Sequence, residues 1–149
     1  MSIEENKAIV RRLFEALNDH NPALLDEFYA LDYVNHTLQI RGLESLKQFE
    51  TEIYEGFPDW RETIEDIVAE GNKVAVRYRI TGTHTGEFVF GKITLAPTGN
   101  KITSSAVSTY RILDGKIAEG WHVYDFLDFY RKMGIIEYTE RGKKLFPEE

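Results

Sequence analysis

The chain reads as an α+β protein: helices come first, then a run of mainly antiparallel strands that gathers them on one face of a curved sheet. Two observations carry that reading. Apolar residues recur at the helical period through the first third of the chain, and they alternate with period two from residue 61 onward. A third is the pair Asp114-Gly115 between two alternating runs, a strong hairpin signal that joins neighbouring strands directly.

The elements follow in order. Ser2 and Glu5 form a capping box, each side chain satisfying an orphan backbone donor. Val10, Leu13, Phe14 and Leu17 then recur at i, i+3, i+4 and i+7, which predicts an amphipathic helix over residues 3–18. Asn21 and Pro22 mark a second start, with the proline where its missing N–H costs nothing, and Leu24, Leu25, Phe28 and Tyr29 continue a short helix. Residues 33–36 read as a brief extended piece. Gly42 precedes a third helix with the stripe Leu43, Leu46, Phe49 and Ile53. Phe57-Pro58-Asp59 ends it, because a residue before proline avoids helical geometry.

Residues 61–69 are predicted as a strand, turned by Glu70-Gly71-Asn72 into a second over residues 73–83. Val74, Val76, Tyr78 and Ile80 share one face of that strand; Ala75, Arg77, Arg79 and Thr81 share the other. Residues 85–100 hold a further strand and a turn at Pro97-Thr-Gly-Asn100. Residues 101–113 are a long strand that Asp114-Gly115 turns into the last one. Residues 126–133 are predicted helical. The whole of 1–149 is read as one domain, with a tail over 135–149 peripheral to it.

At 149 residues the chain can bury roughly two thirds of its unfolded surface. Its 42% apolar content is that of a globular protein with a real core, and nineteen aromatic residues leave some over for a lined cavity or a subunit interface. The net charge of −7 disfavours nucleic acid and anionic membrane as partners. With no Cys there is no disulfide, thiolate metal site or Cys nucleophile. The four His show no close ligand pair, so no metal is expected. No apolar run has membrane-spanning length and no secretory signal pattern opens the chain, so the expected location is cytoplasmic. The Gly loops of nucleotide sites and the motifs of serine and zinc hydrolases are missing, and no cofactor is expected.

The chemical lead lies in the last strand. If period two holds to its end, Ile117, Glu119, Trp121, Val123 and Asp125 share a face, and Asp125 is a carboxyl beside a large indole. Such a setting raises a carboxyl's pKa by desolvation and makes it a candidate general acid or base. The plainer alternative is that Asp125 caps the helix beginning at Phe126, with Asp128 adding negative charge in the first turn. His36 and His84 are candidate polar groups of a binding pocket, though a lone His on a half-apolar strand also fits a structural role. Trp121, Phe57, Trp60 and Tyr54 are candidate lining aromatics, with Trp121 favoured by its shared face with Asp125. Asp66, in phase with Ile64 and Val68, is a weaker pocket carboxyl that reads better as solvent-exposed.

With that order in hand, the chain resembles the SnoaL-like polyketide cyclases, within the superfamily named after nuclear transport factor 2. The resemblance rests on Glu5-Asn-Lys-Ala-Ile-Val-Arg-Arg12, Tyr33-Val-Asn-His36, Arg41-Gly-Leu-Glu-Ser-Leu-Lys47, Phe57-Pro-Asp59 and Thr63-Ile-Glu-Asp66. Further along it includes Gly82-Thr-His-Thr-Gly-Glu-Phe88, Pro97-Thr-Gly-Asn-Lys101, Asp114-Gly-Lys-Ile-Ala-Glu119, and a W-x-x-x-D-x-L pattern at Trp121 and Asp125. What the resemblance implies is a cone-shaped barrel of strongly curved sheet, closed by the N-terminal helices around an apolar pocket, in proteins that are commonly homodimers. It also implies that Asp125 matches the acid/base of a metal-free intramolecular aldol closure. Val89 to Ala96 depart from the family's shorter passage between G-E-F and P-T-G-K, making a longer hairpin at the pocket rim.

Two functions are consistent with this. One is a small cofactor-independent enzyme acting on a hydrophobic carbonyl compound by proton transfer, by aldol-type cyclisation or isomerisation. Asp125 would be its catalytic group, and His36, His84, Trp121, Phe57 and Trp60 would shape the pocket. The other is a non-catalytic small-molecule-binding or accessory module on the same fold, since fold alone does not select a function. A third possibility is that the sheet's outer face serves subunit association alone.

Overall fold

The computed structural model describes residues 1–146. Helix α1 runs Ile3–Asn18, and both hydrogen bonds of the Ser2/Glu5 capping box are formed. Its apolar stripe, including Val10, Leu13 and Phe14, is buried against the sheet. A 3-10 helix at Pro22–Glu27 is capped by the Asn21 side chain and stops sooner than its apolar residues suggest. Tyr29 instead opens strand β1, Tyr29–Asn35, because it pairs with the last strand of the chain. A short β2, Ile40–Arg41, leads through Gly42 (φ 88°), a left-handed position that favours glycine, into α2, Leu43–Gly56.

Strands β3 (Arg61–Glu70) and β4 (Lys73–Thr83) form the first hairpin. Strands β7 (Lys101–Leu113) and β8 (Lys116–Val123) form the other, turned by Asp114 and Gly115, both at positive φ as that tight turn requires. Between them β5 (Phe88–Phe90) and β6 (Ile93–Leu95) pair only with each other. The six-stranded sheet runs β2-β1-β8-β7-β4-β3, antiparallel except for β1 against β8. It is a curved open sheet with β2 and β3 at its edges, not the closed barrel the resemblance implies. Helices α3 (Phe126–Lys132) and α4 (Glu140–Lys143) follow it.

Two bulges decide which side chains face inward. In β3, Ile64 pairs with Tyr78 and Asp66 with Arg77, so Glu65 is an extra residue. In β8, Ile117 pairs with Ile112 and Glu119 with Arg111, so Ala118 is extra. A bulge bends its strand and reverses the alternation beyond it. Hence Ile117 points inward before the second bulge, Gly120 and His122 after it, and Trp121 and Val123 outward.

The interior has two apolar clusters. The larger joins α1, the 3-10 helix, the start of α2 and the inner face of β4 and β7. The smaller is aromatic, centred on Phe57 at the end of α2, and includes Phe88, Ile102 and Met133. Gly86 lets the β5–β6 hairpin dock there: its N–H donates to Gly56 O at 3.1 Å, and a Cβ would lie 1.8 Å from Glu55 O.

Candidate active site

Between α2, β3, the β5–β6 hairpin and α3 lies a cavity of about 90 Å³, room for a few water molecules or one ring of a larger ligand. Its walls are mostly apolar, from Ile53, Phe57, Ile80, Phe88 and Phe129. Phe57 is packed edge-on against Phe88 and Trp60, at ring separations of 5.3 and 5.2 Å. The hairpin is thus a wall of this cavity, which gives the longer passage at Val89 to Ala96 a place in the site.

Asp125 stands at the mouth. It is the N-cap of α3, and its Oδ1 accepts from the Asp128 N–H at 3.1 Å. Among the described residues its other oxygen has no hydrogen-bond partner. Asp128 also lines the cavity and is paired with Lys132 at 2.9 Å and Arg131 at 3.3 Å. Cap and cavity group therefore coexist in one residue, so the two readings of Asp125 are compatible. Its expected shared face with Trp121 is not formed. The Ala118 bulge turns Trp121 to the outer face, where it is 38% exposed, and Asp125 is itself exposed.

Of the other candidates, Phe57 and Trp60 line the cavity, whereas His36, His84 and Trp121 do not. His36 lies on the outer side, stacked on Trp121 at 4.9 Å, with Nε2 3.1 Å from Glu119 Oε1. Glu119 is also bound by Arg111, and these two hydrogen bonds hold its carboxyl below the ordinary range. His84 is fully buried beneath the hairpin. Its Nδ1 accepts from the Thr98 N–H at 3.3 Å, its ring stacks on Phe57, and burial lowers its pKa. Its position is that of a packing residue, one layer behind the wall. Asp66 is exposed, and Arg77 and Arg79 point outward to Glu65.

Three polar features inside went unread in the sequence. Glu50 on α2 and Glu62 on β3 both line the cavity. Burial pushes Glu62 up to about 7. Burial, then the Glu62 charge, pushes Glu50 up to about 8. Glu62 is well held: Trp60 Nε1–H donates to its Oε1 at 3.3 Å, and Asn18 bonds its backbone N–H and carbonyl at 2.8 and 2.9 Å. His20 in turn holds the Trp60 carbonyl at 2.6 Å. The third feature is a buried chain in which His122 Nδ1 meets Ser108 Oγ at 2.6 Å and Ser108 Oγ meets Tyr78 Oη at 2.9 Å. Burial lowers His122 to about 4, so it is neutral at physiological pH. Signals for two of these exist: Glu50 interrupts the stripe Leu43, Leu46, Ile53, and Glu62 is in phase with Ile64. His122 was hidden by the bulge. Among the described residues no three His, Cys, Asp or Glu form a group that could hold a metal ion.

The family model for SnoaL-like polyketide cyclase matches residues 7–133. The chain belongs to that family. It is 30% identical over 133 residues to an aklanonic acid methyl ester cyclase of Streptomyces peucetius, covering 85% of this chain and 88% of that one. It is 29% identical to the enzyme of the same name from Streptomyces sp. strain C5, covering 93% and 88%. Among solved structures, TsrD from Streptomyces laurentii superposes with a TM-score of 0.79 at 22% identity, over 91% of this chain and 99% of that one. At that identity the last likeness speaks for the fold alone. No helix among the described residues is long and apolar enough to cross a membrane.

Proposed function

We propose that this SnoaL-like protein closes a ring in a hydrophobic polyketide carbonyl compound by an aldol-type proton transfer, with Asp125 as acid/base. The observation that carries the proposal is the position of Asp125. It is the aspartate of the W-x-x-x-D pattern on which the resemblance rests, at the mouth of an apolar cavity, with one carboxyl oxygen in the cap bond and the other without a hydrogen-bond partner among the described residues. Fixing the carboxylate by its cap costs little mobility and leaves a lone pair for a C–H proton. Phe57 and Trp60 supply the apolar contacts that hold the substrate.

The test is incubation with aklanonic acid methyl ester, the compound named for the two Streptomyces relatives. Aldol closure leaves the mass unchanged, so the product is read as an isomer by chromatography. The wild type should convert it, and Asp125→Asn, which keeps a capping side chain, should not. Full turnover by Asp125→Asn would remove the aspartate from the chemistry. The cap bond itself favours a second reading, a binding module in which Asp125 is structural; it predicts that the ester is bound and recovered unchanged.

The functional unit we propose is a homodimer joined through the outer sheet face. There Val68 on β3, Val107 on β7, and Trp121 and Val123 on β8 are exposed between 38% and 71%, with Val107 and Val123 directly paired. Apolar side chains exposed on a sheet face among charged ones, here Arg77, Arg79 and Glu119, suit an association surface of mixed character.

A further inference from the structure

The cavity carries more acid than the aldol reading uses. Glu50 and Glu62 face it from α2 and β3, Asp125 and Asp128 from α3, and among the described residues no Lys, Arg or His lines it. The titratable groups that feel the pair are phenols: Tyr54 beside Glu50, Tyr124 in the wall, and Tyr29, Tyr33, Tyr78 and Tyr110 in the core behind it. An ionised carboxylate in such a place lacks a counter-charge and is disfavoured, whereas a protonated one is an O–H donor in an apolar wall. Among the described residues Glu62 has one side-chain hydrogen bond, to its Oε1 from the Trp60 N–H. That bond also stabilises the carboxylate that forms if Glu62 gives up its proton.

We propose that Glu62 is a second catalytic residue of this site, donating a hydrogen bond and then its proton to the carbonyl oxygen that becomes the hydroxyl of the closed ring. Glu50 is the positioning residue beside it. The proposal rests on the aldol reading and divides its work between two carboxyls. The bond from hydrogen to a carbon α to a carbonyl breaks, and the proton goes to Asp125. The electron pair left on carbon forms the new C–C bond to the second carbonyl carbon. The π pair of that carbonyl moves to oxygen, which takes the proton of Glu62. The product is an isomer of the substrate, Asp125 ends protonated and Glu62 ionised, and transfer of one proton from Asp125 to Glu62 through water at the mouth restores the site. Two carboxyls of different surroundings, one exposed and one enclosed, are thereby matched to the roles of base and acid.

The experiment compares wild type, Asp125→Asn, Glu62→Gln and Asp66→Asn in two assays. In the cyclisation assay with the same ester, Glu62→Gln should lose turnover by roughly 10²–10⁴-fold, the usual range for a general acid, while the exposed Asp66→Asn stays at wild-type rate. In the second assay, run in a Trp121→Phe background that leaves Trp60 as the one tryptophan, a neutral aromatic ketone, 9-fluorenone, is titrated between pH 5 and 9 and its binding read by quenching of the Trp60 fluorescence. Wild-type affinity should fall as pH rises through about 7; Glu62→Gln, an uncharged donor at every pH, should lose that step and keep only the later fall as Glu50 ionises near 8, which the double variant with Glu50→Gln removes. Undiminished turnover in Glu62→Gln overturns the proposal, and so does pH-independent binding by the wild type. If the wild type fails to turn the ester over, the aldol reading falls for that compound, and the ketone titration still decides whether Glu62 is the donor.

Discussion

Glu62→Gln tests the electrostatics of the cavity without any substrate. The folded protein raises the pKa of this group from 4.5 to about 7 through burial. Because the folded value lies above the unfolded one, the native state holds the proton more tightly. The stabilisation is complete below pH 4.5 and is lost as pH climbs through 7. Each pH unit is worth about 1.4 kcal/mol, and water in the cavity screens part of it, so the loss from Glu62 is about 2–3 kcal/mol between pH 5 and 8. His122 works in the opposite sense, since its folded value of about 4 lies below the unfolded 6.5 and stability falls as pH drops through that interval. The difference between Glu62→Gln and wild type cancels His122 and leaves Glu62 together with its repulsion of Glu50. Urea unfolding at pH 5, 6.5 and 8 should therefore show the variant gaining about 2–3 kcal/mol relative to wild type across the range. Glu50→Gln should behave likewise, with its rise extending to pH 8. The double variant should gain less than the sum of the two, because the repulsion between the two charges is removed only once. A difference that stays flat with pH would mean that Glu62 ionises as it does in water, and the argument from an enclosed carboxyl would be wrong.

Other outcomes follow from the same geometry. Asp125→Ala should cost about 0.5–2 kcal/mol of stability through loss of the α3 cap, whereas Asp125→Asn should cost little; thermal unfolding separates them. At Gly120 a Cβ would lie 2.5 Å from Tyr33 Oη and 2.8 Å from His122 Nε2. Gly120→Ala should accordingly destabilise by about 1–3 kcal/mol through overpacking. Trp121→Glu places charge among the apolar side chains of the outer face and should shift a sizing profile from dimer to monomer while the circular dichroism spectrum is unchanged. With four carboxyls and, among the described residues, no base in the cavity wall, a free carboxylic acid should bind more weakly than its methyl ester, most clearly above pH 7.

Much of the architecture was legible because its signals are local. The capping box at Ser2 and Glu5, the break at Phe57-Pro58, the full span of β4 and β7, and the turn at Asp114-Gly115 each depend on a few neighbouring residues and elementary stereochemistry. The site was legible only in part, and the failures have a common cause. Alternation gives the facing of a strand only while its register is unbroken, and a bulge is a property of the pair of strands, invisible in either one. Ala118 moved Trp121 and Glu119 out and brought His122 in; Glu65 did the same on β3, where Ile67 rather than Asp66 or Val68 faces the core. Asp125 reaches the cavity by another route, because β8 ends at Val123 and the cap of α3 places it; Glu62 lies before the β3 bulge, in phase with Ile64.

The bulges also explain why the carboxyl enclosed in apolar surroundings is not the one the sequence singled out. Desolvation was expected at Asp125 from its nearness to an indole in sequence. The indole that reaches a cavity carboxyl is Trp60, whose N–H bonds Glu62 two residues on. One side of the cavity thus holds an exposed, cap-fixed carboxyl at Asp125 and another holds enclosed ones, Glu50 and Glu62, that keep their protons to higher pH than a free carboxyl does. For a proton-transfer enzyme the division is functional: a base needs access to solvent to reset, while an acid must keep its proton at neutral pH until charge develops beside it. A structural cap at Asp125 accounts for the first carboxyl alone. It gives no reason for a fold to keep Glu50 and Glu62 where their ionisation works against stability, which natural proteins tend to tolerate only where function requires it.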